Sequence, residues 1–239
     1  MSTRKGQLIV ALDVETFGQA RRLVDSLGDC VDIFKVGSQL FTACGPEAVR
    51  YILKKRKKVF LDLKFHDIPN TVANAMRSAV NITEAGLGIF MCSLHTLGDR
   101  EMLERAVEAT VQQAQDSGVT RPLLVGITVL TSEGEKDNIP HLVLERARLA
   151  QEAGLDGVVA SVQEAAQIRR ELGKSFVIVT PGIRTTGVAT DDQKRVATAS
   201  DAISQGSDFL VVGRPILAAK DPLAAAKGIL KEIAGAQDS

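Results

Sequence analysis

No charge of either sign dominates this sequence: 29 Lys and Arg stand against 29 Asp and Glu, a formal net charge of zero. That balance removes the electrostatic footprint expected of a protein that binds nucleic acid or another polyanion. The one basic run, KKRKK at 54–58, joins a helical stretch to a strand, where cations complement the helix dipole and stay solvated. Cysteine is scarce as well. Cys30, Cys44 and Cys92 form no CxxC pair and are odd in number, which argues against a disulfide framework and for a reducing, cytoplasmic compartment. No apolar segment approaches the roughly 18 residues needed to span a bilayer, so no membrane association is expected.

Several chemical signatures are missing too. There is no Walker-type loop, no GxGxxG after a strand and no GxSxG elbow, which excludes P-loop nucleotide hydrolysis, dinucleotide redox chemistry and the common serine hydrolases. His66, His95 and His141 lack ligand spacing such as HxxxH, so no metal site is expected.

What the chain does contain is alternation. Eight short β-rich runs are separated by longer stretches of helical periodicity: QLIVALD (7–13), VDIFKV (31–36), KVFLDLK (58–64), LGIFMCS (87–93), PLLVGIT (122–128), DGVVA (156–160), SFVIVT (175–180) and SDFLVVG (207–213). Between them, segments such as REMLERAVEATVQQAQ and LVLERARLAQEA repeat apolar residues every three to four positions, as a helix with one buried face requires. Eight β/α units without a linker or composition shift predict an α/β fold, a (β/α)₈ TIM barrel forming a single domain over residues 1–239. The longest stretch without clear structure, 181–195, is expected to be a functional loop.

Side chains alternate faces along a strand, so each run splits into two sets. Leu8, Val10 and Leu12 oppose Ile9, Ala11 and Asp13; Phe34 and Val36 oppose Ile33 and Lys35; Val59, Leu61 and Leu63 oppose Phe60, Asp62 and Lys64. The wholly apolar set belongs under the helices. The other set then points into the barrel, with its charges at the C-terminal mouth where active sites of this fold are built. Asp13, Lys35, Asp62 and Lys64 therefore form a candidate constellation. Ion pairs serving stability alone are the weaker explanation, because hydrophobic replacements would often serve as well. His66 differs in phase from Asp62 and Lys64, which leaves it at most behind the residues that touch a substrate, and Asp67 lies beyond the strand, where periodicity cannot aim it.

A second signal follows the last two strands. TPGIRTTG (180–187) and VGRPI (212–216) each combine glycine with arginine. Glycine lets the backbone approach a ligand closely, guanidinium matches phosphate oxygens, and these two loops are the usual phosphate site of the fold.

These motifs resemble a known family. VALD (10–13), KVG (35–37), FLDLKFHDIPNT (60–71), ITVLTS (127–132), DGVVAS (156–161), TPGIR (180–184), Gln193 and VGRP (212–215) are similar, over nearly the whole chain, to bacterial orotidine 5′-monophosphate decarboxylases. The resemblance implies decarboxylation of orotidine 5′-monophosphate to UMP, in pyrimidine synthesis, without a cofactor. It implies that Asp62, Lys64 and Asp67, with Lys35, are an alternating charge network in which Lys64 protonates C6, and that Lys35 also contacts the substrate. By the same resemblance Asp13 binds the ribose and Thr131 the pyrimidine, and Arg184, Gln193, Gly213 and Arg214 hold the phosphate and lid. Asp67 and Thr71 would act in the neighbouring subunit's site, making the enzyme a homodimer. Two alternatives stand beside this one. A Mg²⁺-dependent 3-keto-L-gulonate 6-phosphate decarboxylase would share DxKxxD but carry an acidic ligand where this chain has Lys35, and a non-catalytic nucleotide-binding barrel would not need Lys64 between two acids.

Overall fold

A computed structural model of the protein describes residues 6–129, 138–184 and 197–237. Eight parallel strands close on themselves: β1 (Gln7–Ala11), β2 (Ile33–Gly37), β3 (Lys58–Phe65), β4 (Met91–His95), β5 (Leu123–Ile127), β6 (Gly157–Val159), β7 (Val177–Thr180) and β8 (Phe209–Val212), with β8 pairing β1. Helices α1 (Phe17–Leu27), α2 (Ser38–Cys44), α3 (Glu47–Lys54), α4 (Pro69–Val80) and α5 (Arg100–Asp116) wrap the first half. The second half carries α6 (Ile139–Glu152), α7 (Val162–Leu172), α8 (Ala199–Ser204), the short α9 (Arg214–Leu217) and α10 (Pro222–Gln237). The expected (β/α)₈ barrel is thus the observed one.

The faces assigned from alternation hold. Leu8, Val10, Leu12, Phe34, Val36, Val59 and Leu61 pack with buried helix residues such as Val24, Ile52 and Met76 in the shell between strands and helices. Ile9, Ile33 and Phe60 fill the barrel instead, with Met91, Val125, Val177, Val179 and Phe209. In α5 the buried set Met102, Leu103, Ala106, Ala109, Thr110 and Ala114 keeps the three-to-four spacing, and Asp99 caps the helix by accepting from the Met102 amide at 2.8 Å. The basic run is the solvated helix end that was expected: Lys54, Lys55 and Arg56 are exposed, Lys55 pairs with Asp25 at 2.6 Å and Lys57 with Asp32 at 3.0 Å.

One boundary moves by a full turn of chain. The fourth strand starts at Met91, not Leu87, because Ala85 and Gly86 take positive φ (52° and 75°) and Glu84 bridges Leu87 in antiparallel sense. A reversal at Gly86 consumes the residues that composition alone assigned to the strand.

The N-terminal end of the barrel is tied by carboxylates placed just before strands. Asp156 accepts from the Leu124 amide at 2.8 Å and pairs with Arg121 at 2.5 Å; Asp208 accepts from the Ile178 amide at 2.8 Å and pairs with Arg169 at 2.6 Å. Arg169 also donates to the carbonyls of Gly173, Phe176 and Gly206, so one guanidinium joins the end of α7, the entry to β7 and the entry to β8. Arg169→Ala is expected to cost about 2–4 kcal/mol in urea unfolding, since it takes the cation from a largely buried carboxylate and the donor from the Phe176 and Gly206 carbonyls. A loss below about 0.5 kcal/mol would show that the clamp contributes no more than a surface ion pair.

Candidate active site

The C-terminal ends of β1, β2 and β3 converge on one row of charge. Lys35 Nζ donates to Asp13 Oδ1 at 3.0 Å and stands 3.6 Å from Asp62 Oδ2, while Lys64 Nζ donates to the same Asp62 oxygen at 2.9 Å. Signs alternate along the row, so each buried charge has an opposite neighbour, as burial demands. Lys35 and Asp62 are only 8% and 7% exposed. The Lys64 side chain, at 38%, is the cation of the pair that opens toward solvent. Gly37 leaves space beside the row, since a Cβ there would stand 2.9 Å from Lys35 Nζ.

Burial alone would push the Asp62 carboxyl up; Lys35, Lys64 and the hydrogen bonds from Lys64 and Ser93 outweigh it and hold the group below the ordinary aspartate range. Ser93 was not singled out in the sequence. Its hydroxyl donates to Asp62 Oδ1 at 2.8 Å and accepts from the Lys64 amide at 2.9 Å. The available signal was phase, since Ser93 shares the inward face of β4 with Met91. Lys64 itself has φ 53°, the left-handed region, and β3 slips against β4 between Leu61 and Phe65. A non-glycine residue held there stores of order 1–3 kcal/mol of strain, a cost found where surroundings over-determine a functional group.

The row lines a cavity of about 480 Å³ together with the apolar Phe60, Ile127, Val129, Val159 and Val211 and with Pro181, Gly182, Arg184, Gly213 and Arg214 from the loops after β7 and β8. Gly182 has φ 80°, a turn that favours glycine. The Arg184 amide donates to the Ala197 carbonyl at 2.9 Å, and Ile183 bridges Ala197. Arg214 opens α9 directly after β8. Ammonium and carboxylate groups, apolar walls and two guanidinium groups in one cavity suit a ligand that is partly apolar and carries an anionic group such as phosphate.

Asp13, Lys35, Asp62, Lys64, Arg184, Gly213 and Arg214 are thus brought to one cavity, as expected from the sequence. Asp67 and Thr71 are not: both are exposed, and Asp67 Oδ1 accepts from the Ile68 amide at 2.7 Å. Thr131, Gln193 and most of the 181–195 loop lie outside the described residues. His66 is exposed, its ring 5.6 Å from that of His95. Among the described residues no group of three or more His, Cys, Asp or Glu side chains could hold a metal ion.

Known proteins resemble the chain over nearly its whole length. Residues 6–229 match the family described as "Orotidine 5'-phosphate decarboxylase / HUMPS family". The orotidine 5'-phosphate decarboxylase of Geobacter sp. (strain M21) is 47% identical over 236 residues, 95% of each chain. That of Syntrophotalea carbinolica is 48% identical over 238 residues, 96% of each chain. The crystal structure of orotidine 5'-phosphate decarboxylase from Lactobacillus acidophilus superposes with a TM-score of 0.80 at 33% identity, covering 95% of this chain and 99% of that one. The enzyme from Pyrococcus horikoshii OT3 gives 0.77 at 25% identity, covering 96% of this chain and 100% of that one.

The electrostatics of Asp62 carry a pH signature. Its folded carboxyl lies below the ordinary value of 3.8, so the stability its ionisation adds is complete above that value and is lost as pH falls through the lower, folded value. Against Asp62→Asn, which cannot ionise, the parent should lead in thermal melts by its full margin near about pH 6 and lose that lead progressively as pH falls below the ordinary aspartate value. A margin independent of pH would show that the carboxylate charge adds nothing to the fold.

Proposed function

Because the chain belongs to the orotidine 5'-phosphate decarboxylase / HUMPS family and is an orotidine 5'-phosphate decarboxylase, we propose that it converts orotidine 5′-monophosphate to UMP and CO₂ without a cofactor, with Lys64 protonating C6. The observation that carries the proposal is the row Asp13–Lys35–Asp62–Lys64 lining the same cavity as Arg184 and Arg214.

The chemistry explains why charge should be arranged this way. The C6–carboxylate bond breaks, its electron pair stays on C6 in an sp² orbital that the ring delocalises poorly, and a proton must then replace CO₂. Enzymes remove about 8–23 kcal/mol from a barrier, and such a step needs the upper part of that range. Only interactions stronger toward the carbanion-like transition state than toward the substrate can supply it. Lys64 is suited to both tasks: its ammonium stabilises the developing charge and then forms the C6–H bond. Asp62, itself beside Lys35, holds that ammonium in place.

The remaining roles follow the same axis. Asp13, with Lys35, takes the ribose hydroxyls, and Thr131 the pyrimidine edge. Arg184, Gln193, Gly213 and Arg214 take the phosphate, whose binding energy can close the loop over the site and exclude water far from the reacting carbon. Asp67 and Thr71 complete the site of a second subunit. Their exposure supports this, as do Ile68 and Leu97, which are 66% and 56% exposed beside them in the loops after β3 and β4, an apolar surface of the kind that interfaces cover. Lys35 also weighs against a Mg²⁺-dependent relative, because an ammonium at the end of β2 would repel the ion. A cytoplasmic location fits the free thiols Cys30, Cys44 and Cys92, the last of which burial pushes up to about 12. No helix among the described residues is long and apolar enough to cross a membrane.

With EDTA present, purified protein should bleach the orotate absorbance of orotidine 5′-monophosphate and yield UMP; no turnover overturns the proposal. Lys64→Ala should still bind UMP while kcat drops by at least about 10³-fold, and retained activity would mean that the proton donor is another group. For the shared site, Lys64→Ala and Asp67→Ala chains should each be nearly inactive alone. Unfolded and refolded together in equal amounts, they should regain about one quarter of parental activity, since half the dimers are hybrids with one intact site each. No recovery would place Asp67 in its own subunit's site.

A further inference from the structure

We propose that Ser93 is a positioning residue for the reaction: it sets the geometry between the Asp62 carboxylate and the Lys64 ammonium. This rests on the assignment of Lys64 as proton donor.

The argument starts from the ladder between β3 and β4. Leu61 is paired with Cys92, and the next pair is Phe65 with Leu94, so Asp62, Leu63 and Lys64 on β3 face Ser93 alone on β4. Three residues against one means that β3 bulges, and a bulge leaves backbone groups without ladder partners. The Lys64 amide is one of these, and it donates to the Ser93 hydroxyl at 2.9 Å. A side chain thus substitutes for a strand where the slip has removed one. The same bulge turns Lys64 to φ 53°, which re-aims a side chain that strict alternation would otherwise carry straight up the strand.

The hydroxyl has one proton to give, and it goes to Asp62 Oδ1 at 2.8 Å. The other carboxylate oxygen is left for the ammonium groups, at 2.9 Å from Lys64 Nζ and 3.6 Å from Lys35 Nζ. One fully buried oxygen atom therefore fixes both partners of the pair: the backbone of the lysine and the plane of the carboxylate. Without it, the carboxylate can rotate about its last bond and the lysine backbone loses the acceptor that holds its strained turn. A geometry loosened by about 1 Å is enough to lose about 100-fold in rate.

Ser93→Ala removes the atom without adding volume. Its kcat for orotidine 5′-monophosphate, counted per UMP-binding site, should fall by about 10- to 100-fold while KM stays within about threefold of the parent. Asp62 also loses a donor to its ionised form, so the acid limb of the kcat–pH profile should move to higher pH, a shift that partial unfolding or a smaller active fraction would not cause. Ser93→Thr, which keeps the hydroxyl, should recover the parental acid limb even if its added methyl lowers stability. An alanine variant with parental kcat and parental acid limb overturns the inference, and so does a lowered kcat whose acid limb is unmoved. A parent protein that fails to turn over the substrate overturns instead the proposed function on which this rests.

Discussion

Asp62 has to remain an anion where water hardly reaches it, and the mouth of the barrel is organised around that requirement. An isolated carboxylate at 7% exposure would take up a proton rather than bear the loss of solvation. Here two ammonium groups and one hydroxyl converge on its two oxygens, and the cost of burial is reversed. The lysines need the carboxylate as much as it needs them. Lys35, at 8% exposure, sits between Asp13 and Asp62, and a side chain on Gly37 would crowd its ammonium there. Charge, void and backbone are therefore adjusted together.

The same mutual pairing that offsets burial is useful for catalysis. Charges held by one another in a site of low polarity cannot reorient, so they need no reorganisation when charge appears on a bound molecule. The barrel supplies the rigidity: a packed interior of Ile9, Ile33, Phe60 and Phe209 lies beneath the row, and the Asp156 and Asp208 ties close the opposite end. The strain at Lys64 belongs to the same economy of parts, tolerated because Ser93 and Asp62 hold that residue from two sides.

Much of this was legible beforehand, and for a physical reason. Strand alternation is a local property, so the inward direction of Lys35, Asp62 and Lys64 could be read from KVG and FLDLK without knowing what lay across the barrel. Arg184 and Arg214 were legible through their position after the seventh and eighth strands. Ser93 was not, because one serine in a strand carries no mark until the slip between β3 and β4 puts it opposite a vacant amide. The start of β4 was misplaced for a similar reason: LGIF has strand composition, but the positive φ at Ala85 and Gly86 turns the chain before the strand can begin. Periodicity cannot aim Asp67, which lies beyond the strand and is not among the residues that line the cavity.

The sequence by itself determined the eight-fold alternation, the two faces of each strand and the sign of each charge at the mouth, since all of these follow from the short-range geometry of an extended or helical backbone. Tertiary structure alone decided the order of the row, the sharing of Asp62 between Lys35, Lys64 and Ser93, and the meeting of that row with the two arginines in one cavity. Those depend on strand register and barrel closure, which set how residues far apart in the chain meet, and no local pattern encodes a register that slips.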